Sequence, residues 1–148
     1  MNRQVTGRVA TYHFAPTLKS QQNLLKENIS KENILITGNT VIDALLESSE
    51  RVKKLNNEEI NYLQNKVDFS KKILLVTGHR RENHGQGFIN ICDALKQIAV
   101  KNPDIQIIYP VHLNPNVLKP VNDLLENIKN IHLVKPLSYP TFVWLMNK

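Results

Sequence analysis

Cysteine and long apolar runs are scarce in this chain of 148 residues. Its single cysteine, Cys92, excludes an internal disulfide and any zinc site built on several cysteines. Because Cys92 lies on the apolar face of a predicted helix, we expect it to be a small core residue. No apolar run reaches the roughly 18 residues that cross a bilayer, and the N-terminus lacks the apolar core of a secretion signal. The sequence therefore predicts a cytoplasmic protein that does not bind a membrane.

Several catalytic signatures are also missing. The chain has no P-loop, no G-x-G-x-x-G fingerprint, no G-x-S-x-G nucleophile elbow and no H-E-x-x-H metal motif. Its aspartates have the sequence context of surface or capping residues, and no carboxylate pair stands out for acid–base chemistry. These absences give no support to a metal site or to a serine-hydrolase mechanism.

The positive charge is spread thinly along the chain. The formal net charge is +6 and the isoelectric point about 9.5, which suits nucleic acid, an anionic membrane or a phosphorylated small ligand. However, no run of five basic residues occurs, and aromatic residues do not alternate with basic ones. We therefore expect no nucleic-acid partner, and a lysine-rich solvated surface explains most of the charge.

Helical and strand-like patterns alternate along the chain. Strands are predicted near residues 12–15, 33–37, 72–77, 104–109 and 131–134. Helices are predicted over residues 2–10, 17–27, 40–52, 87–101, from 114 onward and 138–147. This order indicates an α/β fold with parallel strands and right-handed crossovers.

The most polar segment, residues 53–71, is the predicted domain boundary. We interpret it as a linker with a short, solvent-facing helix. Residues 1–52 would then belong to one α/β domain and its crossover, and residues 72–148 to a second. Because three strands make a poor complete sheet, the second region has the pattern of half a domain.

The loop that follows the predicted strand 72–77 contains the densest group of functional side chains. Residues 79–84 hold two His, two Arg and one Glu, directly before a helix. Loops that leave a strand and enter a helix are where open α/β sheets bind ligands, and the helix N-terminus favours an anion. This spacing favours a phosphate-bearing ligand, with a solvated charged loop as the alternative.

Two further strand ends are expected at the same edge of the sheet. His112 follows the strand 104–109, where it would either reach the same ligand or cap the next helix. Leu137 and Phe142 follow the strand 131–134. Phe142 would stack on a base or, as its spacing alone favours, pack in the core.

Six motifs in one order carry a resemblance to a known family. They are Asn2-Arg3, His13–Thr17, Ile36–Leu45, Thr77–Asn83, Tyr109–Val117 and Phe142–Met146. The chain resembles the non-hydrolysing UDP-N-acetylglucosamine 2-epimerases of bacteria over essentially its whole length. The resemblance implies parts of two Rossmann-like domains with the glycosyltransferase-B type of architecture.

The resemblance also implies a reaction and its partners. The family interconverts UDP-GlcNAc and UDP-ManNAc by eliminating UDP and adding it back. It needs no metal and no cofactor, and the full-length enzymes are expected to be homodimers.

Individual positions take roles from the same resemblance. His79 matches the active-site histidine that faces the diphosphate, and Leu137 and Phe142 match the positions that hold uracil. Arg3 matches a substrate-binding arginine. Three positions match a second, allosteric UDP-GlcNAc site found in some bacterial members: Arg80, Glu82 and His112.

The chain departs from the family pattern in its extent. The carboxylates credited with proton transfer at C2 would precede Met1, and a Ser-Gly-Gly phosphate turn would follow Lys148. We therefore expect a central piece that is inactive by itself. The alternatives are a UDP-sugar-binding half that acts with complementary fragments, and a fragment of a glycosyltransferase of the same architecture.

Overall fold

The computed structural model describes residues 2–78 and 85–148, which divide into two compact units. The first unit extends to Glu47, and the second runs from Ser48 to Lys148. Each unit contains helices and a parallel sheet.

The first unit is built around a small parallel sheet. Its elements are α1 (Asn2–Val9), β1 (His13–Ala15), α2 (Leu18–Lys26), a 3-10 helix (Lys31–Asn33), β2 (Ile34–Ile36) and the start of α3 (Thr40–Val52). Strands β1 and β2 pair with Phe14 opposite Leu35. Thr17 caps α2, and its hydroxyl accepts a hydrogen bond from the Ser20 amide at 3.1 Å.

Most apolar side chains of this first unit are exposed. Among its described residues, the buried apolar side chains are Ala15 and Ile34. Val9 and Phe14 are 83% and 68% exposed. A two-stranded sheet has too little surface to cover them, so this unit has only a minimal core.

The second unit is larger and contains a three-stranded parallel sheet in the order β3-β4-β5. Its elements after α3 are α4 (Glu58–Lys66), β3 (Lys72–Leu75), α5 (Gln86–Lys101), β4 (Ile105–Pro110), α6 (Pro115–Leu125), β5 (Ile131–Val134) and α7 (Tyr139–Met146). In the central strand, Ile107 lies opposite Leu74 of β3 and Ile131 of β5. The predicted order of strands and helices is therefore observed.

The main core lies between one face of this sheet and the helices α5 and α6. Helix α5 buries Phe88, Cys92, Leu95 and Ala99, which recur at helical spacing on one stripe. The prediction that Cys92 is a core residue is confirmed, since its side chain is fully buried. The neighbours Ile107 and Ile108 point to opposite faces of β4, and both are fully buried. Both faces of the central strand are therefore covered, as is typical of parallel sheets.

The short helix predicted within the segment 53–71 is observed as α4. This helix is not solvent-facing on every side, because Leu63 is 0% exposed. Ile60 of the same helix is also buried, and so is Val67 directly after the helix, so the segment has a buried apolar face. The compact units divide between Glu47 and Ser48, which places all of this segment in the second unit. The composition of α4 is mostly polar, but the spacing of its apolar residues indicates a buried face.

Candidate functional site

The carboxyl ends of β3, β4 and β5 lie at one edge of the second sheet, because the three strands are parallel and adjacent. The segments that leave this edge are residues 76–78, 111–114 and 135–138. The edge therefore brings together Gly78, His112 and Leu137, as expected from the sequence order of strands and helices. His79, Arg80 and Glu82 themselves lie outside the described residues.

Gly78, which directly precedes that loop, is held by a buried tyrosine of the central strand. The Tyr109 hydroxyl donates a hydrogen bond to the Gly78 carbonyl oxygen at 2.6 Å. The Tyr109 side chain is fully buried, and this burial raises the pKa of its hydroxyl to about 12. A Cβ atom on Gly78 would lie 3.4 Å from the Tyr109 oxygen, at the limit of ordinary van der Waals contact. The contact fixes the backbone at Gly78, three residues after the end of β3.

His112 lies at the end of β4 and is exposed. Its Nδ1 atom accepts a hydrogen bond from the Asn114 backbone amide at 3.1 Å, just before α6 begins at Pro115. In a neutral ring, Nε2 then carries the proton and is a donor. His112 therefore helps to form the start of α6, which corresponds to the capping role offered by the sequence. Its side chain also remains exposed at the sheet edge.

Leu137 and Phe142 lie on either side of the α7 N-terminus, and both are half-buried. The Phe142 amide donates to the Ser138 carbonyl oxygen at 2.9 Å, so Phe142 is placed one helical turn after Ser138. Leu137 also lines a cavity of about 410 Å³ together with residues of α4 and of the β5 end. Phe142 is therefore not a fully buried core residue.

A hydrogen-bonded group of four side chains joins the N-termini of α4 and α7. We call it the α4–α7 capping network, and its members are Asn57, Glu59, Ser138 and Thr141. The Ser138 hydroxyl and backbone amide both donate to the Glu59 carboxylate, the amide at 3.2 Å to one oxygen and 3.3 Å to the other. These bonds hold the pKa of Glu59 below its usual value, with the Ser138 hydroxyl as the largest cause and the Thr141 hydroxyl next.

No pattern in the sequence predicted this network. Asn57 caps α4, and its Oδ1 atom accepts from the Ile60 amide at 2.8 Å. An Asn three residues before an apolar residue was therefore a readable start signal for α4. The partners on α7, Ser138 and Thr141, lie about 80 positions away in the chain. The spacing of residues in the sequence does not predict contacts over such a separation.

Arg3 belongs to the first unit. Its guanidinium forms a salt bridge with Glu27, and this hydrogen bond raises the pKa of Arg3 and lowers that of Glu27. Arg3 also lines a cavity of about 530 Å³ with residues of β1 and α2, among them Phe14 and Pro16. The Arg3 side chain remains 63% exposed.

The described part of the chain contains neither a metal-binding cluster nor a membrane-spanning helix. Within residues 2–78 and 85–148, no group of three or more His, Cys, Asp or Glu side chains is arranged to hold a metal ion. None of the helices in these ranges combines the length and the apolar character needed to cross a bilayer.

Comparisons with known proteins identify the family. The profile of the UDP-N-acetylglucosamine 2-epimerase family matches residues 1–148. A UDP-N-acetylglucosamine 2-epimerase of Campylobacter jejuni is 56% identical over 152 residues, covering 99% of this chain and 40% of the relative. The chain thus spans about 40% of the length of this curated relative.

Solved structures agree with the sequence relatives. The Neisseria meningitidis UDP-GlcNAc 2-epimerase, solved bound to UDP-GlcNAc, matches 99% of this chain and 40% of its own, with a TM-score of 0.84 and 43% identity. The Methanocaldococcus jannaschii enzyme, solved with UDP-GlcNAc and UDP, matches 97% and 40%, with a TM-score of 0.73 and 32% identity. The predicted α/β class, with parts of two Rossmann-like domains, is confirmed. With a family profile that covers its full length, the chain belongs to the UDP-N-acetylglucosamine 2-epimerase family.

Proposed function

We propose that this chain provides part of a UDP-GlcNAc 2-epimerase, an isomerase, and that its share of the nucleotide-sugar site lies at the carboxyl edge of β3, β4 and β5. The observation that carries the proposal is the meeting of three strand ends at one edge, in a chain of this family. Open parallel sheets bind ligands at such edges. Two solved relatives bind UDP-GlcNAc, which supports the same ligand for the complete site.

The proposed reaction interconverts UDP-GlcNAc and UDP-ManNAc. A base removes the C2 proton, the C1–O bond breaks, and UDP leaves with the electron pair. This step gives a 2-acetamidoglucal and UDP. Addition of UDP at C1 and of a proton to the opposite face of C2 gives the epimer, so no oxidant or reductant is consumed.

The roles of individual residues follow the family resemblance. His79 is the proposed catalytic residue, because a donor at the diphosphate would stabilise the charge that develops on departing UDP. Leu137 and Phe142 would hold uracil, which suits two half-buried apolar side chains on the segment that enters α7. Arg3 is assigned to substrate binding by resemblance.

Regulation and assembly are proposed on the same basis. Arg80, Glu82 and His112 would bind a second, allosteric UDP-GlcNAc, and the accessible His112 ring supports its part in that role. The complete enzyme is proposed to be a cytoplasmic homodimer that binds neither nucleic acid nor membrane.

An alternative is a UDP-sugar-binding half that turns over only together with complementary fragments. The exposed apolar side chains of the first unit favour this alternative, because a complementary fragment would cover them. A glycosyltransferase fragment is disfavoured, because the matching family profile and the relatives reported above are epimerases.

Binding is tested by calorimetric titration of the 148-residue chain with UDP. We expect His79→Ala to weaken UDP binding about tenfold or more, since a hydrogen bond to a charged group contributes about 1.5–3 kcal/mol. The control is Lys96→Ala, which removes an exposed cation on α5. Equal affinities for wild type and His79→Ala would refute the role of His79. An equal loss in Lys96→Ala would indicate non-specific charge attraction.

Turnover is tested by NMR of the same chain with UDP-GlcNAc. We expect no UDP-ManNAc from the isolated chain, because no carboxylate pair suited to C2 proton transfer was identified in its sequence. Detectable epimerisation by the purified chain would contradict this expectation. Turnover that appears on adding the remaining family regions as a separate polypeptide would favour the complementing-half alternative.

A further inference from the structure

Helix α7 begins without the usual cap from its own first side chain. Ser138 is the N-cap residue, yet its side chain makes no capping hydrogen bond within α7. Pro140, near the start of the helix, has no backbone N–H to be satisfied. Instead, the Ser138 hydroxyl and amide donate to Glu59 of α4. The start of α7 is therefore positioned from outside the helix.

Asn57 makes the second link of the capping network. Its Oδ1 atom accepts from the Ile60 amide within α4, and its Nδ2 atom donates to the Thr141 hydroxyl at 3.0 Å. The Thr141 side chain is 0% exposed, and its hydroxyl oxygen lies 3.0 Å from that of Ser138. The Asn57 side chain thus caps α4 and also hydrogen-bonds to the first turn of α7. These two contacts fix the starts of the two helices relative to each other.

Two residues of the network, Ser138 and Thr141, lie in the chain between the two proposed uracil contacts. Leu137 directly precedes Ser138, and Phe142 hydrogen-bonds through its amide to the Ser138 carbonyl. A displacement of Ser138 therefore moves Leu137 and Phe142 together. Binding sites require their contact residues to be held within about 0.5 Å, and supporting hydrogen bonds provide that constraint.

From this geometry we propose that Glu59, together with Asn57, positions the uracil-binding segment 137–142 and thereby sets base selectivity without touching the base. The inference rests on the proposed function, because it takes Leu137 and Phe142 as the uracil contacts. Glu59 acts through Ser138, so it is a positioning residue and not a catalytic one. Its carboxylate accepts both Ser138 bonds as the ionised form, which agrees with the lowered pKa of this group.

The chain offers a matched control for this proposal. Glu58 directly precedes Glu59 in the first turn of α4. Glu58 is exposed, whereas Glu59 is half-buried and bonded to Ser138. Glu58→Ala and Glu59→Ala therefore remove the same charge from adjacent positions. Only Glu59→Ala changes the capping network.

The first measurement needs no ligand. Amide hydrogen exchange is followed in segment 137–142 of the full chain, with circular dichroism to verify that each variant is folded. We expect exchange in this segment to accelerate about tenfold in Glu59→Ala and less in Glu59→Gln, which keeps one acceptor oxygen. Glu58→Ala should match the wild type. Wild-type exchange rates in Glu59→Ala would overturn the positioning role, whether or not UDP binds.

The second measurement compares the binding of UDP, ADP and inorganic pyrophosphate to the same proteins. We expect Glu59→Ala to lower the preference for UDP over ADP by about fivefold or more and to leave pyrophosphate binding unchanged. Partial recovery of the preference in Glu59→Gln would support the capping bond as its cause. An unchanged preference, or an equal loss for all three ligands, would overturn the proposal. A wild-type chain that does not prefer UDP would overturn the proposed function instead, and hydrogen exchange would still decide the positioning role.

Discussion

Replacement of Tyr109 by Phe tests how Gly78, the last described residue before the segment 79–84, is held. Tyr109 lies in the central strand β4, and its hydroxyl donates to the Gly78 carbonyl oxygen at 2.6 Å. The side chain is 0% exposed, so Phe keeps the ring packing and removes only the hydroxyl. The substitution therefore isolates one tertiary hydrogen bond between residues 31 positions apart.

The expected loss follows from the surroundings of the two partners. A hydrogen bond in a protein contributes about 0.5–1.5 kcal/mol net, and more when its loss leaves a buried partner unsatisfied. Gly78 is only half-buried, so water can reach its carbonyl once the hydroxyl is gone. We therefore expect Tyr109→Phe to lower the free energy of unfolding of the second unit by about 1 kcal/mol.

The raised pKa of Tyr109 adds a pH dependence with a definite sign. Burial raises the pKa of this hydroxyl from 10.0 to about 12, so the folded state keeps the proton more tightly than the unfolded state does. The contribution to stability is complete below pH 10 and is lost as the pH rises toward 12. The Tyr109→Phe variant should lose less stability over this range than the wild type.

The assay is urea unfolding followed by the fluorescence of Trp144, the single tryptophan, which is buried in the second unit. Tyr139→Phe is the control, because that tyrosine belongs to the same unit and is 56% exposed. Equal unfolding free energies for wild type and Tyr109→Phe near pH 7 would refute the hydrogen-bond argument. An identical decline of both proteins between pH 10 and 12 would refute the pKa argument.

Two further substitutions test contacts that hold the second sheet, both by urea unfolding monitored at Trp144. Asn130→Ala should lower the free energy of unfolding by about 1–2 kcal/mol, and an unchanged value would contradict the role of its amide. That amide donates to three carbonyl oxygens at 3.0, 3.1 and 3.2 Å, those of Ala99, Asn102 and Ile105. Burial lowers the pKa of His132, and the nearby Lys66 charge lowers it further. The neutral ring therefore contributes to the free energy of unfolding above the usual pKa of 6.5, and this contribution is lost as the pH falls below that value. His132→Gln should therefore flatten the decline in stability between pH 7 and 5, and a decline as steep as that of the wild type would disprove this.

The parts of the fold that were predictable depend on local patterns. The apolar stripe of α5 needed only the spacing of Phe88, Cys92, Leu95 and Ala99, and the Thr17 cap needed only its position before a helical segment. Each of these features is decided within a few residues of chain. For the same reason, the sheet edge that carries His112 and Leu137 followed from the alternation of strands and helices, since parallel strands place their carboxyl ends together.

The segment 53–71 shows why composition alone was misleading. Its many Asn, Lys and Glu residues are typical of a linker, but Ile60 and Leu63 form a buried face on α4. A helix needs only a narrow apolar stripe to pack, so a mostly polar segment can still belong to a folded unit. The spacing of Ile60, Leu63 and Val67 was the signal that would have corrected the interpretation.

By itself, the sequence determined the α/β class, the family and the edge at which functional residues gather, because these depend on local periodicity and on motifs contiguous in the chain. The tertiary structure decided which side chains support that edge. Glu59 meets Ser138, 79 positions away, and Tyr109 meets Gly78, 31 positions away. Such contacts arise only when packing of the sheet and helices brings distant segments within hydrogen-bonding distance, and no local pattern encodes them.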